Sequence, residues 1–368
     1  ALKRSDSRAI PETPPEGLVP PPEDSRLAET VRALAEAGGD SVAGILLYGS
    51  HVQASSPDRW SAYDFLLVTD SYARFFKNLV AGGHHSRPWW LLTFLSHILP
   101  PNIISFDTGK AHQPPAKCAV LTPRELRRAL RPRSPDHFIK GRVVQKLALV
   151  WKRGPAEEEM VVKALRQARA GITRWVRPFL PGDFDVEEFA EQMLRVSYRG
   201  EIRPESPDRV VQVFQSQKET LVGIAREALE IAVEKGRVLE EDGRYRWRHP
   251  AGRAVWAFYT LYFAVSKARA TARWFKYMIT FEGWLEYIQR KIERRAGMEV
   301  EIDERERRWP LIFLWPKLFV VLRNLRDRRN EVGTPDHSVK GTHQIPGTSA
   351  ADANPSSRVP PDEGGEGA

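Results

Sequence analysis

A glycine-serine pair and a single aspartate form the pattern in this chain that could do chemistry. Gly49-Ser50 follows an apolar segment that predicts a strand over 44–48, and Asp64 lies within a second predicted strand over 63–68. A glycine lets backbone N–H groups approach phosphate oxygens, because it carries no Cβ. A carboxylate on the next strand can hold Mg²⁺ against those phosphates. The pattern therefore indicates a site for a triphosphate and Mg²⁺, with Asp64 as the metal ligand.

The second of these strands carries only one carboxylate. Two carboxylates at alternate positions, which point to the same face of a strand, would be the usual arrangement for such a site. The first of those positions is occupied by Ala62. A charge between Tyr63 and Phe65 is costly to bury, which favours a functional role for Asp64. The alternative is that Asp64 is an ordinary residue near a strand end and that Gly49-Ser50 is an ordinary turn.

The composition favours an anionic partner and a reducing compartment. The 368 residues are enough for one large or two medium domains, and 42% of them are hydrophobic. The formal net charge of +9 favours a nucleotide, a nucleic acid or an acidic lipid, without choosing among them. Cys118 is the single cysteine, so we expect neither an internal disulfide nor a cysteine-rich zinc site. We also expect no cleaved leader and no membrane-spanning helix, because no apolar run reaches about 20 residues.

The sequence predicts an α/β protein, with the chain divided into five parts. The two ends, 1–25 and 331–368, are polar and rich in proline, and they are predicted to be disordered. Residues 26–153 alternate between helix and strand patterns, which predicts a domain with a mixed sheet. Residues 154–252 are mainly helical and contain a hairpin turn at Asp242-Gly243. This pattern is typical of a winged-helix-like domain, and equally of a plain helical domain with one β-ribbon.

The fifth part, 253–330, predicts C-terminal helices with a segment suited to a membrane interface. It begins with a predicted helix over 254–294. Between Trp309 and Arg329, apolar residues recur at helical spacing on one side and arginines follow them. Such an amphipathic helix can lie in a bilayer surface with its arginines at anionic headgroups, although it could also pack on the protein's own core. The segment Pro88 to Leu99, which is apolar on nearly every side, would face the same surface.

Taken together, these motifs resemble those of a known enzyme family. The Gly-Ser and Asp64 pair is similar to that of polymerase-β-like nucleotidyltransferases. The chain resembles more closely the peripheral, mitochondrial-type phosphatidate cytidylyltransferases of the translocator-assembly-and-maintenance family. Tyr48-Gly49-Ser50 is similar to the family's Tyr-Gly-Ser motif, and Tyr63-Asp64-Phe65 to its single-carboxylate strand. Further segments resemble family motifs in the same order: Lys117–Thr122, Lys140–Lys146, Val196–Arg203, Ser206–Val210 and Ser266-Lys267.

The resemblance implies an activity and a set of site residues. The family transfers CMP from CTP to phosphatidate, which forms CDP-diacylglycerol and releases pyrophosphate, with Mg²⁺ as the cofactor. The resemblance implies catalytic roles for Asp64, Ser50 and Lys117, and Asp64 as the metal ligand. The residues implied to contact the nucleotide or the lipid phosphate are Tyr48, Gly49, Ser50, Lys117, Arg142, Lys146, Ser197, Tyr198 and Arg203.

The same resemblance implies the partners and the location. CTP, phosphatidate and an anionic membrane surface are the expected partners, and no nucleic acid is expected. The location would be peripheral on a membrane, at the cytoplasmic face in a bacterium or at the mitochondrial inner membrane in a eukaryote. A homo-oligomer is left open, as are roles for Asp107 and for Glu201, which replaces an aspartate of the family motif.

The chemistry of the acceptor offers a reason for the missing carboxylate. A hydroxyl acceptor must lose a proton, and a second metal held by extra carboxylates assists that loss. A phosphate monoester has a second pKa near 6 and is already largely dianionic at pH 7. We therefore hypothesise that a lipid phosphate acceptor tolerates Ala62. The alternatives are a polymerase-β-like enzyme that modifies RNA or a small molecule, and a catalytically inactive nucleotide-binding homologue.

Overall fold

The computed structural model describes residues 14–53, 61–109, 116–200, 207–285 and 289, with the side chains of 207–209 left out. The chain divides into two compact units, Ala1–Arg290 and Lys291–Ala368, and the second lies outside the described residues. The first unit is an α/β structure with a mixed six-stranded sheet, a small three-stranded sheet and many helices. The membrane-interface segment predicted over 309–329 and the predicted disordered tail also fall outside the described residues.

The six-stranded sheet has the strand order β1-β6-β2-β3-β5-β4. Its strands are β1 (Leu18–Val19), β2 (Val42–Tyr48), β3 (Asp64–Thr69), β4 (Asn102–Phe106), β5 (Ala116–Leu121) and β6 (Leu147–Lys152). Strand β2 pairs antiparallel with both β3 and β6, whereas β3 and β5 are parallel. The two strands predicted from sequence thus lie at the centre of the sheet, close to their predicted bounds.

Helices cover both faces of this sheet. The first helices are α1 (Ser25–Gly38), α2 (Ser50–Gln53), α3 (Tyr72–Ala81), α4 (Trp89–His97), α5 (Pro123–Leu130), α6 (Phe138–Val143) and α7 (Pro155–Val176). On one face, Ile45 and Phe65 pack with residues of α1, α3 and α4. On the other face, Leu46 and Leu66 pack with residues of α5, α6 and α7. The middle of each central strand is apolar because neither face meets water there, whereas Asp64 and Lys117 lie near strand ends and are partly exposed.

A second core is built from the remaining elements. These are β7 (Asp183–Phe184), α8 (Val186–Arg199), α9 (Pro207–Ser216), α10 (Lys218–Glu234), β8 (Val238–Glu241), β9 (Arg244–Trp247) and α11 (Arg253–Thr280). The three short strands form an antiparallel sheet in the order β7-β9-β8. The helix α7 serves both cores: Val161 and Leu165 pack beneath the six-stranded sheet, whereas Ile172 and Val176 belong to the second core.

The helix predicted over 254–294 is interrupted in the structure, and helical geometry returns at residues 284–285. Helix α11 begins at Arg253, one residue early, and ends at Thr280. The chain leaves helical geometry at Phe281, with φ −104° and ψ 105°, and Gly283 adopts the left-handed region at φ +65°. No described helix is both long enough and apolar enough to cross a bilayer.

Two buried cations fix α11 against the turn that follows α4. Lys276 Nζ lies 2.8–3.2 Å from the carbonyl oxygens of Leu95, Ile98, Leu99 and Pro101, among which its N–H groups are shared. One turn earlier, fully buried Arg273 donates to the carbonyls of Leu99 and Pro100 and forms an ion pair with Asp136, which lies just before α6. These contacts join α4, α6 and α11, which are far apart in sequence.

The carbonyl-bound lysine makes stability depend on pH. Burial, and then the neighbouring Arg273, lower the pKa of Lys276 to about 7. Between pH 7 and about 10 the unfolded chain therefore binds a proton that the folded chain lacks, and the free energy of unfolding rises with pH, by up to about 1.4 kcal/mol per unit. Urea unfolding at pH 7, 8 and 9 should show this rise, and Lys276→Met should show a smaller one, because burial also lowers the pKa of Lys140, to about 8. The exposed control Lys267→Met should keep the wild-type slope, and equal slopes in all three proteins would contradict the pKa shift.

Candidate functional site

The structure brings the glycine-serine turn against Asp64. Tyr48, the last residue of β2, pairs with Asp64, the first residue of β3, across the antiparallel ladder. Gly49 follows at φ +81°, a conformation that glycine adopts without strain. A Cβ at this position would lie 2.9 Å from Asp64 Oδ2. A side chain at position 49 would therefore clash with the carboxylate, and glycine allows the turn and Asp64 to lie in contact.

Lys117 places a cation next to the same carboxylate. It lies opposite Asp64 on the parallel neighbour β5, where the register pairs the two residues directly. Its Nζ is 3.5 Å from Asp64 Oδ1, with 19% of the lysine side chain and 27% of the aspartate side chain exposed. Since both groups keep contact with solvent, the pair can separate at modest cost when an anion or a metal ion enters.

The first residues after the turn are tied back to the start of β3. Ser50 opens the short helix α2, and its Oγ is 3.2 Å from the Oγ of Ser61. His51 Nε2 lies 2.9 Å from the carbonyl oxygen of Ser61, and its ring packs against Tyr63. Residues 54–60 between these two ends lie outside the described part of the chain. The serine hydroxyl is thus held within the same corner of the sheet as Asp64.

Arg142 places a second cation near the site, next to the Tyr48 ring. Its guanidinium carbon is 3.6 Å from the ring centre of Phe138 and 5.7 Å from that of Tyr48, and Nη1 donates to the Phe138 carbonyl. Burial raises the pKa of the Tyr48 hydroxyl, and the charge of Asp64 raises it further, whereas Arg142 and Lys117 oppose the shift. Tyr48 is therefore a neutral hydroxyl among three charged groups. Of the residues predicted from sequence, Tyr48, Gly49, Ser50, Asp64, Lys117 and Arg142 form this cluster.

Three glutamines, to which the sequence assigned no role in the site, support the turn. Gln53, the last residue of α2, donates from Nε2 to Gln145 Oε1 at 3.0 Å. Gln217, between α9 and α10, accepts from the backbone N–H of Lys146 at 3.2 Å, while its own Nε2 lies 3.5 Å from Gln145 Oε1. The backbone of Lys146 is fixed by this contact and its side chain is half-buried. Because the partners are 92 and 71 residues apart, sequence spacing carries no signal for this network.

The residues predicted from the second half of the chain lie in a different setting. Ser197 is 1% exposed, and its hydroxyl donates to the carbonyl of Leu194 within α8. Tyr198 packs against the second core. Arg203 and Glu201 lie outside the described residues. A phosphate contact from Ser197 would require its bond within the helix to break, so its part in a site stays a prediction.

A metal ion at this site would take most of its ligands from the bound nucleotide and from water. The described residues contain no cluster of three or more His, Cys, Asp or Glu side chains suited to a metal. Asp107 is exposed and accepts from the backbone N–H of Gly109. Mg²⁺ in nucleotide enzymes is usually held by one or two carboxylates together with phosphate oxygens and water. Asp64, a partly exposed carboxylate in contact with the Gly49 turn, fits that arrangement.

Comparison with known proteins does not assign a family. No protein-family model matches this chain, and no curated protein matches it. The resemblance to the cytidylyltransferases therefore depends on short motifs and their order. What the site can do must be inferred from the geometry around Asp64.

Proposed function

We propose that this protein is a nucleotidyltransferase that transfers CMP from CTP to phosphatidate, with release of pyrophosphate and with Mg²⁺ as cofactor. The observation that carries the proposal is the contact between the Gly49 turn and the Asp64 carboxylate, with Lys117 beside it. We interpret the mixed six-stranded sheet as polymerase-β-like, and the second core with its three-stranded sheet as winged-helix-like. In support, Tyr48, Gly49, Ser50 and Asp64 lie at adjacent ends of β2 and β3, where that type of enzyme would bind its nucleotide.

The residues around the turn divide the work of binding a triphosphate. Backbone N–H groups at Gly49 and Ser50 would contact phosphate oxygens, because glycine has no Cβ that would hold the phosphate away from the backbone. Lys117 and Arg142 would neutralise the charge of the departing pyrophosphate, and the partly exposed side chain of Lys146 would extend the same basic surface. Asp64 would hold Mg²⁺, which when bound neutralises phosphate charge and orients the phosphate chain.

The reaction balances without a base. A phosphate oxygen of phosphatidate attacks the α-phosphorus of CTP, a new P–O–P linkage forms, and the bond to the β-phosphate breaks as pyrophosphate leaves. The attacking oxygen is already ionised at pH 7, so no proton has to be removed from it. The tasks left to the protein are to align two anions and to offset their repulsion, which Lys117 and Arg142 can do. This accounts for a site in which Ala62 stands where a second carboxylate would be.

Helix α4 provides an apolar surface for a lipid substrate. Its side chains Trp90 and Phe94 are each 59% exposed, and Trp89 and Ile98 are also exposed. No charged residue lies between Pro88 and Pro101. Tryptophan is favoured where hydrocarbon meets headgroups, so this surface suits an interface in which phosphatidate is embedded. We therefore include a peripheral membrane location in the proposal.

Gly49→Ala tests the turn without touching a charged group. A Cβ 2.9 Å from Asp64 Oδ2, at φ +81°, must displace the carboxylate or the backbone. We expect CMP transfer to fall by about 100-fold or more, and stability to fall by about 1 kcal/mol. The measurements are steady-state pyrophosphate release and urea unfolding. Gly109→Ala, also at positive φ but with open space around it, is the matched control and should keep the wild-type rate.

The reaction itself can be tested by measuring pyrophosphate release from each of the four ribonucleoside triphosphates. Each is offered with Mg²⁺, with vesicles of phosphatidylcholine alone, and with vesicles that also contain phosphatidate. The proposal expects release only when CTP and phosphatidate are both present. Release with ATP in the absence of lipid would favour an enzyme that modifies RNA or a small molecule. Binding of CTP and Mg²⁺ without release under any condition would favour a catalytically inactive homologue.

A further inference from the structure

The long helix α11 leaves an apolar stripe uncovered. Its buried face, which includes Phe263, Arg273 and Lys276, packs on the protein. On the opposite face, eight exposed residues follow one another at alternating intervals of four and three: Ala254, Phe258, Leu261, Val265, Ala268, Ala272, Phe275 and Ile279. Of the fifteen exposed residues of α11, only Arg253 and Lys267 are charged. An exposed surface of this kind is unusual for a monomer and points to an interaction site.

The spacing identifies the kind of partner. Intervals of four and three average 3.5 residues, which is the repeat that keeps one helix in register with another along its length. A lipid surface requires only a broad apolar face and gains from cations along its borders. The stripe of α11 is regular and has few charges beside it, and the exposed apolar surface extends past it to Trp256 and Ala264. These features favour a second helix over a bilayer as the occupant.

The stripe is complementary to itself when two copies run antiparallel. With the two-fold axis between Ser266 and Lys267, Leu261 meets Ala272 of the partner subunit, and Val265 meets Ala268 of the partner subunit. In the outer layers Ile279 meets Ala254 of the partner subunit, so that three of the four layers pair a large residue with a small one. A parallel pair in register would instead set alanine against alanine and phenylalanine against phenylalanine. Large side chains facing small ones fill the space between helices evenly.

We infer that the chain forms a homodimer through antiparallel pairing of α11. The helix is about 42 Å long. The five large side chains of the stripe are 43–65% exposed. A fully buried aromatic residue hides about 150–250 Å², so the stripe with its alanines supplies several hundred Å² per copy, of the order that stable interfaces bury. An isologous interface of this type closes with two copies and leaves no stripe exposed.

The mass of the full chain in detergent-free buffer tests this inference. Light scattering after size-exclusion chromatography should give a dimer at micromolar concentration. Val265→Glu places a charge beside the two-fold axis and should weaken dimerisation at least 100-fold, whereas Lys267→Glu, on the same helix but off the stripe, should leave the dimer intact. A monomeric wild-type chain would overturn the inference, because something else would then cover the stripe. A dimer that survives Val265→Glu would overturn it as well.

Crosslinking tests the orientation without depending on a destabilising change. In the antiparallel pair the two copies of residue 261 are about 16 Å apart along the helix axis, whereas residue 261 adjoins residue 272 of the other copy. A mixture of Leu261→Cys and Ala272→Cys chains should therefore form a disulfide-linked dimer, and Leu261→Cys alone should not. The native Cys118 is fully buried and should not interfere.

Linkage of Leu261→Cys with itself would indicate a parallel pair. If the chain is monomeric and Val265→Glu abolishes its binding to phosphatidate vesicles, the stripe binds lipid. Self-linkage of Leu261→Cys or this loss of vesicle binding would each refute the antiparallel dimer.

Discussion

Asp64→Asn is expected to reduce pyrophosphate release from CTP and phosphatidate by at least about 1000-fold. The substitution removes the carboxylate that lies beside Gly49 and Lys117, while keeping the size of the side chain. Asparagine is neutral and is a weaker ligand for Mg²⁺, so the charge of the phosphates would remain uncompensated. The rate constant kcat should be measured at saturating CTP on phosphatidate vesicles. The thermal midpoint of unfolding should stay near the wild-type value, because the side chain is partly exposed.

The matched control is Asp40→Asn. Asp40 is exposed and lies just before β2, at the end of the strand opposite to Tyr48. The same change of charge at this position should leave kcat unchanged. If Asp64→Asn retains more than a tenth of the wild-type rate, Asp64 does not hold the metal and the proposed site is wrong. A loss of activity in both variants would instead indicate that net charge, rather than the site, governs the reaction.

Arg273→Met is expected to destabilise the protein by about 3–5 kcal/mol. Arg273 is fully buried and contacts Asp136 and two backbone carbonyls in the turn after α4. Methionine fills part of the volume but cannot donate, so the Pro100 carbonyl loses the arginine, Leu99 keeps only Lys276, and Arg269 alone remains beside Asp136. The free energy of unfolding from urea titration measures the effect. Hydrogen exchange at the amide of Ile98, which donates to the Leu95 carbonyl, should increase as well, because the turn loses its support.

Arg246→Met provides the comparison for this second prediction. Arg246 makes a two-pronged ion pair with Asp183 at 2.7 Å, but both side chains are largely exposed. Exposed pairs contribute little because water competes for both partners. The change should therefore lie within the error of the unfolding measurement. If Arg246→Met destabilises the protein as much as Arg273→Met does, burial of the Arg273 pair is not what makes it important.

The central strands could be predicted because their residues carry the signal locally. Strand β2 is a continuous apolar run, as expected for a strand covered on both faces, and so are Phe65–Val68 of β3 and Cys118–Leu121 of β5. The start of α5 carries an equally local signal, since Thr122 accepts from the backbone N–H of Glu125 and the Glu125 side chain caps in return. The proximity of Gly49 and Asp64 followed from the pairing of two adjacent strands. In each case, a few neighbouring residues decide the structure.

The contacts that could not be predicted join residues far apart in the chain. Arg273 and Asp136 are separated by 137 positions, and Lys276 binds carbonyls whose side chains have no part in the bond. Strand β4 was missed because Asn102–Phe106 mixes polar and apolar residues after two prolines. Ser197 was assigned to the site from its motif, whereas burial in α8 directs its hydroxyl to the helix backbone. Pattern alone does not reveal which polar groups the tertiary structure encloses.

Helix α7 couples the stability of the two cores. One rigid rod supplies Val161 and Leu165 to the layer under the large sheet, and Ile172 and Val176 to the neighbouring core. A fragment ending at residue 153 would therefore expose the sheet face that α7 covers. Such a fragment should aggregate rather than fold as an independent domain. The two cores should also unfold in a single calorimetric peak. Neither core can unfold without removing the packing that α7 provides to the other.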